Sequence, residues 1–200
     1  MNIKKTLASL LSATLVLGLS ASAATHTVVR GDTMWKIANK YEVGTREIID
    51  ANPRVANPDL IYPGQLLNVP QTDSTVSSFE AEVVRLVNIE RSKNGLKPLT
   101  HDWELSRVAR YKSQDMKNKN YFAHESPTYG SPFDMMRSFG ISYRSAGENI
   151  AKGQTTPQKV VTAWMNSQGH RANILNKNYT HIGVGYVASG NYWTQMFIQK

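Results

Sequence analysis

The chain of 200 residues contains no cysteine. A disulfide framework and a thiol nucleophile are excluded together, and the fold must rest on packing alone. Lysine and arginine form no block and no basic–aromatic stripe, which argues against nucleic acid as a partner. Long apolar runs are scarce as well. The one present, Leu7 to Leu19, falls short of the ~20 residues needed to cross a bilayer, and no later stretch approaches it. Lys4 and Lys5 precede that run, "SASAA" follows it, and Ala21 and Ala23 fit an A-x-A cleavage site. Residues 1–24 are therefore expected to be a secretory signal peptide, leaving no transmembrane segment after cleavage. An exported chain without cysteine points to a bacterial route. Acidic residues are fewer than basic ones, 15 against 23, for a formal charge of +8, or +6 without the two leader lysines. Such a protein is drawn non-specifically to anionic envelope polymers.

The polar stretch "QTDSTVSS", residues 71–78, follows Pro70, lacks periodicity and reads as a linker. It divides a small unit, 25–70, from a larger one, 79–200. In the small unit "HTVV" is a β-branched run, hence a strand. Asp32 or Thr33 is placed to cap a helix whose apolar face is Met34, Ile37, Ala38 and Tyr41. Thr45 is placed to cap a second helix, which Asn52-Pro53 ends. "GQLLNV" closes the order β-α-α-β.

Across 26–70 the segments "VVRGDTMWKIANKY", "VGTREII" and "YPGQLLNVP" resemble the LysM domain. The resemblance implies binding of β-1,4-linked polymers containing N-acetylglucosamine, chiefly peptidoglycan and chitin. It places the sugar between two loops, here Gly31, Asp32, Thr33 and Met34 on one side and Pro58, Asp59, Leu60 and Ile61 on the other. Backbone groups there can bond the acetamide while apolar side chains cover its methyl group.

In the larger unit, Ser77-x-x-Glu80 reads as a capping box before a helix that Asn94-Gly95 stops. Further helices are expected after Asp102, at Ser131-Pro132 and at Thr156-Pro157. "HIGVGYV", "ASGN" and "YWTQMFI" form a hairpin signal within a small antiparallel sheet, so the class is α+β. "VNIERSKNGLKPLTHDWELSRVARYKSQDM", "YFAHESP", "AGENIA", "SQGHRANILN", "IGVGY" and "YWTQMF" then appear in the order found in CAP domains. That family is named for cysteine-rich secretory proteins, antigen 5 and pathogenesis-related proteins. The resemblance implies an α-β-α sandwich with a central cleft, in its cysteine-free bacterial branch.

In CAP domains the histidine of "FAH", the glutamate of "GENIA" and the histidine of "GH" converge in the cleft. Here these are His124, Glu148 and His170. Two imidazoles and a carboxylate suit zinc or another divalent ion. They suit equally an acid–base set in a wall hydrolase or protease, or a structural hydrogen bond from His170 to Glu148. A cleft for lipid or a small molecule is a further reading. "TAWMNSQGH" lacks the second acid that many CAP domains bring from this segment, which weakens a metal cage. His26, His101 and His181 read as surface or packing residues. His124-Glu125 is no H-E-x-x-H motif, no G-x-S-x-G elbow occurs, and Gly183-x-Gly185 lacks the third glycine of a nucleotide loop. The expectation is an exported, wall-associated glycan-binding protein carrying a CAP domain.

Overall fold

A computed structural model describes residues 24–200; the expected leader lies, but for its last residue, outside them. The small module runs β1 (Ala24–Thr27), α1 (Met34–Lys40), α2 (Thr45–Ala51) and β2 (Leu66–Val69), with β1 antiparallel to β2. Strand β1 lies two residues earlier than "HTVV". The reason is local: the Val29 amide donates to the Asp32 carboxylate (2.9 Å), which turns the chain out of the ladder. Thr33, not Asp32, caps α1 by accepting from the Lys36 amide (3.1 Å). Thr45 is the first residue of α2 rather than its cap; Gly44 precedes it, and its amide donates to Glu47 Oε2 (3.1 Å). Both helices cover a core of Val28, Ile37, Ile48, Leu67 and Val69. His26 is buried there, with Nε2 2.8 Å from Asp32 Oδ2.

The larger domain begins with α3 (Ser74–Lys93), capped by Asp73, so the segment read as a linker over 71–78 is mostly helix. The capping box does not form there, because Glu80 is turned inward to Arg110. Next come β3 (Thr100–His101), α4 (Trp103–Asn118), α5 (Pro132–Ser138), β4 (Ser145–Lys152), α6 (Pro157–Met165), α7 (Gln168–Ile174), β5 (His181–Val187) and β6 (Tyr192–Gln199). The sheet order is β3-β5-β6-β4. It is mixed rather than wholly antiparallel, since β3 pairs with β5 in parallel. Helices α4 and α5 pack on one face through Leu105, Val108, Met135, Met196 and Ile198. Helices α3, α6 and α7 pack on the other through Val83, Val160, Trp164, Ile174, Trp193 and Phe197. This is the expected α-β-α sandwich.

Two glycines set the spacing of the first layer. A Cβ on Gly183 would strike the backbone of Leu105 and Ser106, and one on Gly185 the backbone of Ala109 and Arg110. Helix α4 therefore lies directly against β5, closer than side chains between them would allow. The Gly-x-Gly pair is a packing device. A buried ion pair pins the same layer: Arg110 is bidentate to Glu80, whose Oε1 also accepts from the Tyr186 amide (3.0 Å). Gly185→Ala should destabilise the domain by ~3 kcal/mol or more, because backbone rather than side chain must move. Urea denaturation measures this, and a loss under ~1 kcal/mol would contradict the close approach.

Candidate functional site

β4 is an edge strand, and in most sheets such an edge is open to pairing. Here its outward carbonyls are met by side chains. Tyr179 Oη donates to the Ala146 carbonyl (3.0 Å), Asn173 Nδ2 to that of Glu148 (3.1 Å) and Trp164 Nε1 to that of Ile150 (3.2 Å). Gly147 lets Tyr179 come this close, as a Cβ there would meet its hydroxyl. Arg91, almost wholly buried, donates to the carbonyls of Ile174 and Asn176 (2.7 and 2.9 Å) and so holds the end of α7. The motif "SQGHRANIL" folds as α7, and its Asn173 helps to close this edge.

Glu148 sits mid-strand, its side chain almost fully buried, with Oε1 2.7 Å from His124 Nδ1. His124 lies in the loop between α4 and α5. That loop is closed by a bridge between Ser126 and Gly130 and fastened to Asp115 on α4, which accepts from Tyr121 Oη (2.7 Å), Ser126 Oγ (2.8 Å) and Thr128 Oγ1. Burial raises the Asp115 pKa, and these hydroxyls outweigh it and lower it overall. Lys112, fully buried on α4, donates to the His124 carbonyl, and burial lowers its pKa.

His170 lies on α7, and burial first, then the charge of His124, lowers its pKa. Its carbonyl accepts from Asn149 Nδ2 (3.1 Å). The expected bond from His170 to Glu148 is not made. Glu148 is taken by His124, because the strand turns its side chain to the α4 face while α7 lies on the other. The cleft thus brings His124 and Glu148 into contact and sets His170 beside them. Sequence reasoning passed over Lys112, Asp115, Asn149 and Asn173. The run "AGENIAK" lacks alternation because both faces of β4 are buried, which hid the strand that carries Asn149.

Among the described residues no three His, Asp or Glu side chains are disposed to share one ion. His124 Nδ1 is already hydrogen-bonded, and Glu148 orients an imidazole instead of completing a cage. With Nδ1 on Glu148, Nε2 is the ring nitrogen of His124 left for another partner, zinc or another divalent ion included. Glu148 Oε2 is buried and has no hydrogen-bond partner among the described residues.

In the small module, Asp32, Thr33, Met34, Pro58, Asp59 and Ile61 line one groove of about 220 Å³. Trp35, Thr45 and Ile49 line it too and were not anticipated. Trp35 is 65% exposed, a large aromatic left in water beside a groove. Its neighbours in "TMWKI" mark the helix stripe, and an off-stripe tryptophan was the available signal. Gly31 and Leu60 are not among the lining residues. Gly31 makes the turn at φ +91°, and Leu60 is exposed. Asp32, between His26 and the Val29 amide, braces the loop, and those two bonds lower its pKa.

Comparison with known proteins follows the same division. Residues 84–199 match the sequence profile of the cysteine-rich secretory protein family, CAP, and residues 26–70 that of the LysM domain. The uncharacterized protein YkwD of Bacillus subtilis is 72% identical over 127 residues, which is 64% of this chain and 49% of that protein. The crystal structure of an extracellular SCP-domain protein from Bacillus anthracis superposes with a TM-score of 0.61 at 35% identity, covering 69% of this chain and 47% of that one. The chain spans about half the length of both. N-acetylmuramoyl-L-alanine amidase sle1 of Staphylococcus aureus is 30% identical over 79 residues, 38% of this chain and 23% of the enzyme. Among the described residues no helix is long and apolar enough to cross a membrane.

The Glu148 hydrogen bond raises the His124 pKa, against the opposing effect of burial. A raised folded-state pKa stabilises most below the unfolded value, ~6.5, and that gain is lost as pH rises through the folded value. The melting-temperature difference between the native chain and His124→Gln should therefore be larger at acidic pH and shrink in alkali. Differential scanning calorimetry across that range checks it; a gap that widened in alkali would contradict the pairing.

Proposed function

The chain belongs to the cysteine-rich secretory protein (CAP) family and carries a LysM domain ahead of its CAP domain; from that premise we propose an exported, wall-associated protein whose LysM groove binds the N-acetylglucosamine-containing glycan of peptidoglycan. The observation that carries this reading is the groove itself. Two loops far apart in the chain, around Asp32–Met34 and Pro58–Ile61, meet across a shallow, partly apolar depression with Trp35 at its side. An aromatic face beside backbone donors suits a pyranose ring and its acetamide. The leader-like residues 1–24, the name of the amidase relative and the description of the Bacillus anthracis protein as extracellular support a place outside the cell.

The basic excess has its own location. Residues 26–70 hold five Lys or Arg against five Asp or Glu, so the glycan module is neutral and the surplus lies in the CAP part. Glycan binding by the groove should therefore resist salt, while attraction to anionic wall polymers, carried by the CAP domain, weakens with it.

A second reading follows from the buried Glu148. By accepting from His124 Nδ1 it leaves the lone pair on Nε2, on a side chain 55% exposed, in the tautomer a general base needs. A hydrolase of wall peptide or glycan would use that imidazole to take a proton from water, with His170 beside it. Clearing of purified walls that survives both His124→Ala and Glu148→Gln would refute this reading.

Trp35→Ala should lower affinity for an N-acetylglucosamine tetramer about three- to tenfold without altering the fold, since the side chain is mostly in solvent. Isothermal titration on the mature chain measures it. Unchanged affinity would remove Trp35 from the groove's function.

A further inference from the structure

Helix α2 has three faces with separate surroundings. Thr45 and Ile49 line the groove, Ile48 is sealed in the module core, and Glu47 faces the CAP domain. Its Oε1 lies 3.5 Å from Arg107 Nη1 on α4, and both side chains are largely buried, at 23% and 18% exposure. The Arg107 guanidinium lies over the Phe139 ring, 5.3 Å from its centroid, and Tyr111, one turn on, packs against the same ring at 5.1 Å. Burial and then the Glu47 carboxylate push the Tyr111 phenol up to about 12.

The fit extends to the backbone. Arg107 occupies the space beside Gly44, so that any Cβ at that position would strike the guanidinium. Gly44 has φ −73°, an ordinary value for any residue, so what a side chain there would meet is the end of Arg107 and the Glu47 carboxylate, not backbone strain. Between β2 and α3 only residues 70–73 lie outside regular structure, which leaves little freedom for the modules to separate. A cavity of about 180 Å³ is walled by Tyr41 and Val43 from one module, Trp103 and Arg110 from the other, and Gln71 and Thr72 between them.

We propose that Gly44, Glu47 and Arg107 form an intramolecular docking contact that seats the LysM module on α4, so that groove and cleft are carried as one body in a fixed relative orientation. The partner of this surface is the chain's own second domain. The two opposite charges are partly withdrawn from water and attract across 3.5 Å, so removing either loses that attraction, while Glu47 keeps the Gly44 amide on its other oxygen. It does not depend on what the groove or the cleft binds.

¹⁵N relaxation on the mature chain tests this. A single tumbling time for both modules is expected. In Arg107→Ala the LysM residues should tumble faster than the CAP residues, with amide shifts in each core retained. Two tumbling times in the native chain, or one unchanged time in Arg107→Ala, would overturn the proposal. Should Arg107→Ala fail to fold, Gly44→Ala carries the test, since its methyl group displaces the guanidinium while leaving every charge in place. A thermal double-mutant cycle with Glu47→Gln and Arg107→Gln gives an independent readout: non-additive shifts are expected, and strictly additive ones would overturn the contact.

Discussion

The closeness of α4 to β5 governs the rest of the molecule. Gly183 and Gly185 let the helix backbone touch the sheet, and α4 then distributes position to everything around it. Arg110 draws in α3 through Glu80. Ser113 bonds the Gly185 carbonyl and Thr194, tying the helix to the two central strands. Lys112 and Asp115 fasten the loop that carries His124. Arg107 reaches the other module. A shift of α4 away from the sheet would disturb the core, the cleft and the domain contact together, because all four attachments lie within about three turns of one helix.

The cleft is built where a sheet would ordinarily be left open. Edge carbonyls need partners, and here Tyr179, Asn173 and Trp164 supply them from one side. Closing the edge brings α7 against β4 and sets His170 near the His124–Glu148 pair. One strand thus does two things with alternate groups: its carbonyls bind the closing helices and its Glu148 carboxylate orients an imidazole. Burying that carboxylate requires a partner, and His124 is the partner the structure provides. A residual valence, Glu148 Oε2, stays inside the cleft.

The two modules divide the chemistry as well as the length. The LysM part is electrically neutral and carries the groove with its exposed tryptophan. The CAP part carries the basic excess and the polar cleft. Short-range recognition of a neutral sugar and long-range attraction to a polyanion have different salt dependences, and on the proposed function the two would fall to different modules. With the modules held through α2 and α4, what one binds fixes where the other is presented.

Much of this was legible in the amino acids. The β-α-α-β order, the helix caps at Thr33, Asp102, Ser131 and Thr156, the α+β class and the segments holding His124, Glu148 and His170 follow from period, punctuation and motif. The misses have physical causes. Strand β4 has no alternation because both its faces are buried. Helix α7 is short, and Arg91, Asn149 and the buried Ile174 hold it from elsewhere in the fold. Glu80 satisfies a capping pattern and yet pairs with Arg110 thirty residues on. Local sequence determines what depends on neighbours in the chain: caps, periodicity and turns. Only the tertiary structure decides which imidazole Glu148 accepts from, where Arg107 is buried and why Gly183 and Gly185 lack side chains. Each of those outcomes depends on which groups lose their water together, and that is settled by packing across the chain rather than along it.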